Sequence, residues 1–140
     1  MGTLETFDHT ADVGFRVAAE TLDDLFVTAA EGLFGYVVVN LEDVRPSESE
    51  AVSLSADTTA DLLVTWLNEL IFRCETRHRL YANFDVHLSE DGLKLAASIA
   101  GEPIDPDRHI LDHEVKAVTQ HGLSLTHSDN RWVAELILDI

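Results

Sequence analysis

A chain of 140 residues with 46% hydrophobic side chains and a mean hydropathy near zero is long enough to bury a core without disulfides, and too apolar to stay disordered. No apolar run approaches the roughly 18 residues of a membrane span, and no basic stretch followed by an apolar one opens the chain, so a single cytoplasmic domain over residues 1–140 is expected. With 26 Asp and Glu against 9 Lys and Arg, a net charge of −17, the surface repels phosphate backbones, so direct nucleic-acid binding by the isolated chain is not expected.

In chain order, Phe7 to Asp12 reads as an acidic turn carrying Asp8 and His9. Residues 13–19 then alternate apolar and polar side chains, the period of a strand. Thr21-Leu22-Asp23-Asp24 has the form of a helix cap with Asp in place of Glu. Leu22, Leu25, Phe26, Ala29, Ala30, Leu33 and Phe34 then fall on one face of a helix over about 22–36. Residues 41–50, with Pro46 and several acids, read as a loop, and Val52 and Leu54 begin a strand ending near Asp57. Thr58-Thr59-Ala60-Asp61 caps a second helix, whose core stripe is Leu63, Trp66, Leu67, Leu70, Ile71 and Cys74 and whose end lies near Arg77.

Two alternating segments follow, Phe84 to Leu88 and Leu93 to Ile99, joined by the hairpin signal Ser89-Glu90-Asp91-Gly92. Residues 101–108, with two prolines, read as a loop, and three further strands are expected at about 111–119, 122–127 and 131–139. Strand, helix, strand, helix and then a run of strands predicts an α+β fold, with two helices packed on mostly antiparallel sheet.

Cys74 is the single cysteine, so no disulfide framework is possible, and its place on an apolar helix face reads as a small core hydrophobe rather than a nucleophile. Trp66 and Trp132 also lie on apolar faces and read as core. In the last strand Trp132, Ala134, Leu136, Leu138 and Ile140 share one face, and Val133, Glu135, Ile137 and Asp139 share the other. Asp139 thus stands among aliphatics next to the last residue. An aspartate in a turn, such as Asp12, can simply accept from backbone amides, and a last strand can fray into water. If the two ends meet instead, several carboxylates converge, and they need a hard cation, a basic partner or protonation. Lys116 is one of only two lysines. On a strand it shares a face with Glu114, which permits a weak ion pair.

Asp8-His9-Thr10-Ala11-Asp12-Val13-Gly14-Phe15, Glu114-Val115-Lys116-Ala117-Val118-Thr119 and the final Asp139-Ile140 together resemble the archease family, over residues 4–140. The resemblance implies an α+β domain of that kind and a divalent-metal site on Asp12, Asp139 and Ile140. Calcium is the implied ion, with magnesium or manganese as alternatives. It implies that Lys116 contacts a partner or a phosphate. Asp8, His9 and His113 stand beside these acids in the sequence, which permits them to orient the site or, as the alternative, to act as structural histidines and a turn- or cap-stabilising aspartate. The resemblance also implies an accessory role without a catalytic residue of its own: activation of an RtcB-type RNA ligase in tRNA splicing, by promoting the ligase's guanylylation and multiple turnover.

The chemistry of the residues agrees with parts of this. Calcium takes hard oxygen ligands, and no pair of His or Cys stands at a zinc-ligand spacing. No phosphate-binding glycine loop, dinucleotide fingerprint, paired-histidine metalloprotease motif or nucleophile elbow occurs. Two other readings stay open: a metal-dependent phosphoester hydrolase and a chaperone-like protein-binding module. The acidity itself has two explanations, a halophilic host or docking to a basic partner surface.

Overall fold

The computed structural model describes residues 2–9 and 12–140; for Asp8 and His9 it describes the backbone only. Seven strands and two helices follow in the order β1 (Thr3–His9), β2 (Asp12–Ala19), α1 (Leu22–Val37), β3 (Glu48–Ser55), α2 (Thr59–Arg77), β4 (Arg79–Leu88), β5 (Lys94–Pro103), β6 (Ala117–Ser128) and β7 (Arg131–Asp139). All strand pairings are antiparallel and form two sheets, a four-stranded one ordered β1-β2-β7-β6 and a three-stranded one ordered β3-β5-β4. Each helix touches both sheets, so the apolar stripes of α1 and α2 are covered from two sides. No helix is long and apolar enough to cross a membrane.

The helices form where spacing and caps place them. The Thr21 hydroxyl accepts from the Asp24 amide at 3.1 Å, and the Thr58 hydroxyl accepts from the Asp61 amide at 3.0 Å. Each bond satisfies one of the amides that a helix start leaves without a partner. Leu25, Phe26, Ala29, Ala30, Leu33 and Phe34 of α1 are all buried, as are Leu63, Trp66, Leu67, Leu70 and Ile71 of α2. Phe34 stacks on Phe84 with ring centroids 5.8 Å apart and meets Tyr81 edge-on at 5.8 Å. Trp66 donates its indole N–H to the Phe26 carbonyl at 3.0 Å, so the one polar atom of this buried ring is satisfied. α2 ends on His78 in the left-handed conformation (φ 54°), a position more often held by glycine.

Four expectations need correction. Residues 3–9 form strand β1, whereas the acids of this segment suggested only a turn before β2. The expected strand at 111–119 forms only in its last three residues: Leu111 makes an isolated bridge to Val38, and regular pairing begins at Ala117. Its alternation belongs to a connection that leans on the end of α1, where the Asp112 amide donates to the Val37 carbonyl at 2.8 Å. The two expected strands around residue 120 are one strand, β6, whose pairing with β7 shifts register between Thr119 and Ser124 beside the left-handed Gly122 (φ 75°). Finally, Trp132 is core only in part, packed against the buried cluster from its edge. It is half-buried and stacks on His127 with centroids 4.2 Å apart.

Cys74 is partly buried against the core. Burial, with the nearby Glu75 carboxylate, pushes its thiol up to about 11. At neutral pH the nucleophilic thiolate is therefore scarce. Alkylation by iodoacetamide at pH 8, followed by mass spectrometry, should be more than tenfold slower in the folded protein than in urea.

Candidate functional site

The middle strands of the four-stranded sheet come from opposite ends of the chain, and their register builds the site. Asp12 in β2 lies directly across from Asp139 in β7; Asp12 is also the partner of His9 in β1, and Asp139 of Ala117 in β6. His9, Asp12, Asp139 and Ala117 thus occupy one row across all four strands at one end of the sheet. The Lys116 amide donates to the Asp139 carbonyl at 2.8 Å. This ties the segment carrying Lys116 to the row. The Lys116 side chain is exposed. Asp12 is half-buried, Asp139 is exposed, and Ile140 is 38% exposed.

Period-2 alternation explains which face carries the row. Phe15, Val17 and Ala19 of β2 are fully buried toward the helices, so Asp12, Gly14 and Arg16 occupy the opposite face. Three cross-strand rows are stacked there. Arg16 reaches Glu5 at 3.0 Å and Glu135 at 3.1 Å, and both acids hold its guanidinium above its ordinary range, with Glu135 the larger cause. Next comes an apolar row, Phe7, Gly14 and Ile137, in which Ile137 is only 3% exposed. The acid row follows. Like charges directly opposed on neighbouring strands repel, and the apolar row keeps water from one side of this pair, which strengthens any charge that approaches.

Gly14 is the piece that sequence reasoning did not weigh. The far edge of the Phe7 ring lies over it, and a Cβ at this position would sit 2.1 Å from the ring carbon Cζ. Only glycine lets the ring cross the strand here. Gly14→Ala should displace Phe7 and open the apolar row to water. The expected result is a loss of about 1–2 kcal/mol in stability, the usual cost of overpacking, read by urea denaturation.

Of the other predicted residues, His113 is set apart from the row by its ring stacking. It lies parallel to Tyr36 with centroids 4.2 Å apart, and its Nδ1 is 3.2 Å from an Asp112 carboxylate oxygen. The side chains of Asp8 and His9, and residues Thr10 and Ala11, lie outside the described residues. Among the described residues no group of three or more His, Cys, Asp or Glu side chains could hold a metal. The acid pair is a two-carboxylate arrangement, and further oxygens from Ile140 would have to complete it.

A second constellation escaped the sequence altogether. Glu102 is only 6% exposed. Its carboxylate accepts from the Arg45 amide at 2.7 Å and His109 Nε2 at 2.9 Å, and it pairs with the Arg108 guanidinium. The Asp105 amide donates to His109 Nδ1 at 2.9 Å, which leaves the ring hydrogen on Nε2, where it donates to Glu102. Burial pushes the Glu102 carboxyl up, but the Arg45 amide, His109 and Arg108 together hold it down at about 2.

A small α+β domain with an acidic row where its second and last strands pair defines the class. The sequence matches the Archease protein family (MTH1598/TM1083) over residues 4–140, and the chain belongs to the archease family. It is 41% identical to protein archease of Methanopyrus kandleri over 97% of this chain and 98% of that one. It is 34% identical to protein archease of Pyrococcus abyssi over the whole of both. Among solved structures, protein 1598 of Methanobacterium thermoautotrophicum superposes with a TM-score of 0.80 at 31% identity, over 98% of each chain. An archease of Thermotoga maritima, described as a possible chaperone, shares the fold with a TM-score of 0.64 at 15% identity, over 97% of this chain and 96% of that one.

Proposed function

We propose that this chain activates an RtcB-type RNA ligase, promoting the ligase's guanylylation and so sustaining multiple turnover in tRNA splicing. The observation that carries this reading is the register of β2 against β7, which opposes Asp12 to Asp139 and leaves Lys116 bound through its amide to the same strand end. An accessory protein of this kind needs no substrate pocket of its own. It needs a projecting charged edge that enters another protein's active cleft.

The donors proposed at that edge are oxygens, from the Asp12 and Asp139 carboxylates with a main-chain oxygen of Ile140. Such a set suits calcium, or magnesium and manganese with more water retained, and it does not suit zinc. When bound, such an ion supplies positive charge for phosphate oxygens. The chain's own residues do the rest. The paired β2 and β7 ends hold both acids on a rigid platform, the Phe7 and Ile137 row excludes water beneath them, and Lys116 offers an ammonium beside phosphate or partner. Activation then works by electrostatic positioning rather than by a proton-transfer group.

The test is single-turnover guanylylation of a cognate RtcB-type ligase with labelled GTP, with and without this protein. Acceleration supports the reading. No acceleration of an active ligase overturns it. Phosphatase activity of the isolated protein with Mg²⁺, Mn²⁺ or Ca²⁺ would instead favour the hydrolase, and suppressed aggregation of unrelated clients the chaperone module.

A further inference from the structure

Beside the acid row, a groove runs between the C-terminal ends of α1 and α2 and the connection that precedes β6. It encloses about 550 Å³, with Val37, Ile104 and Leu111 as its apolar lining and Glu75, Asp112 and Glu114 among its polar lining. A narrow slot of about 80 Å³, lined by Leu33, Ile71 and Val115, opens from the same side and shares Val37, Glu75 and Glu114 with the groove. Few large apolar side chains of the described residues are strongly exposed, and three of them gather at this end: Val39 at 57%, Ile110 at 59% and Leu111 at 52%. The Val39 amide donates to the Ile110 carbonyl at 2.8 Å, and Val38 bridges to Leu111, so backbone pairing holds them together. A surface this apolar on a chain of net charge −17 marks an interaction site rather than a solvated face.

The charge around it says what covers it. No Arg or Lys of the described residues lines the groove. Most of the chain's guanidinium groups are engaged elsewhere: Arg73, Arg77 and Arg79 with Glu50, Arg16 with Glu5 and Glu135, and Arg108 with Glu102. Among the described residues Glu75 and Glu114 are exposed with no Arg or Lys beside them, and Asp112 has only the groove's own His113, Nδ1 at 3.2 Å. A ligand that fits presents an apolar side chain for the slot and cationic side chains for Glu75, Asp112 and Glu114, a combination that a protein segment supplies and a nucleic acid cannot. Glu114 is two residues from Lys116, so one short segment of chain serves both the groove and the edge proposed to enter the ligase.

We infer that this groove docks a segment of the partner ligase bearing an apolar side chain flanked by arginine or lysine, so that binding and activation are carried by adjacent but separate surfaces. This rests on the function proposed above. The test compares Leu111→Ser/Glu75→Gln/Glu114→Gln with wild type, titrating each into ligase and GTP, with calorimetry on the same proteins. The variant should bind at least tenfold more weakly and need at least tenfold more protein for half-maximal guanylylation, while reaching the wild-type maximum at saturation. All three side chains face solvent or the groove rim, and an unchanged melting temperature shows that the fold is intact. Wild-type stimulation with an unshifted variant curve overturns the docking site and leaves the activator reading standing. A wild-type chain that neither binds nor stimulates overturns both.

Discussion

Asp139→Asn should reduce ligase guanylylation to the rate of the ligase alone, and Asp12→Asn should do the same. The loss expected is at least tenfold, about 1.4 kcal/mol in the barrier, without loss of fold. The register makes the prediction two-sided. These carboxylates stand directly opposite one another on adjacent strands, where like charges repel, so in chelator Asp139→Asn should be as stable as wild type or about 0.5 kcal/mol more stable. With millimolar Ca²⁺, wild type should gain melting temperature and the variants should not, because only a protein that binds the ion is stabilised by it. Thermal melts in EDTA and in Ca²⁺, beside the guanylylation assay, check both sides. A variant that stimulates fully, or one that unfolds, would remove the acid pair from the proposed mechanism.

The largest effect on stability is expected at Glu102. Glu102→Ala leaves the Arg45 amide and His109 Nε2–H buried without their acceptor and Arg108 without its partner. A cost of about 3 kcal/mol follows from breaking such a buried charged network, or about 10 °C in melting temperature for a chain of this size. The pH dependence has a definite sign. The Glu102 carboxyl is held at about 2 against an ordinary 4.5. A depressed carboxyl contributes stability that is fully present above the unfolded value and is lost as pH falls through the folded one. The gap between wild type and Glu102→Ala should therefore be largest above pH 5 and shrink steadily between pH 4.5 and 2. Guanidinium denaturation of both proteins at pH 7 and pH 3 reads it. A gap that stays constant would mean that packing, not charge, carries the role of Glu102.

What was legible in the sequence follows from the range of the forces involved. Helix α1 could be read nearly to the residue because its cap and its apolar stripe are local, and the same holds for α2. β1 was hidden because Glu5 and Asp8 look like turn residues, whereas in the fold Glu5 is drawn to Arg16 of the neighbouring strand. Residues 111–116 imitate a strand because alternation cannot distinguish pairing with a strand from leaning on a helix end. The Glu102, Arg108 and His109 network is also local in sequence, yet residues 101–108 read only as a proline-bearing loop. Nothing in the order of residues says that a carboxylate there turns inward. The opposition of Asp12 and Asp139 belongs to the longest range of all. Composition and spacing only raised it as a condition, that the two ends meet, and the family resemblance pointed to it.

That opposition also fixes when in the life of the molecule the acid row can exist. β2 and β7 are both interior to their sheet and come from opposite ends of the chain, so the local halves of the row, His9 with Asp12 and Ala117 with Asp139, join only when the most distant segments have closed on each other, a slow kind of step in folding. The same closure buries Phe15, Leu136 and Leu138. Site and core are thus acquired in one event. A molecule that fails to seat β7 loses both together.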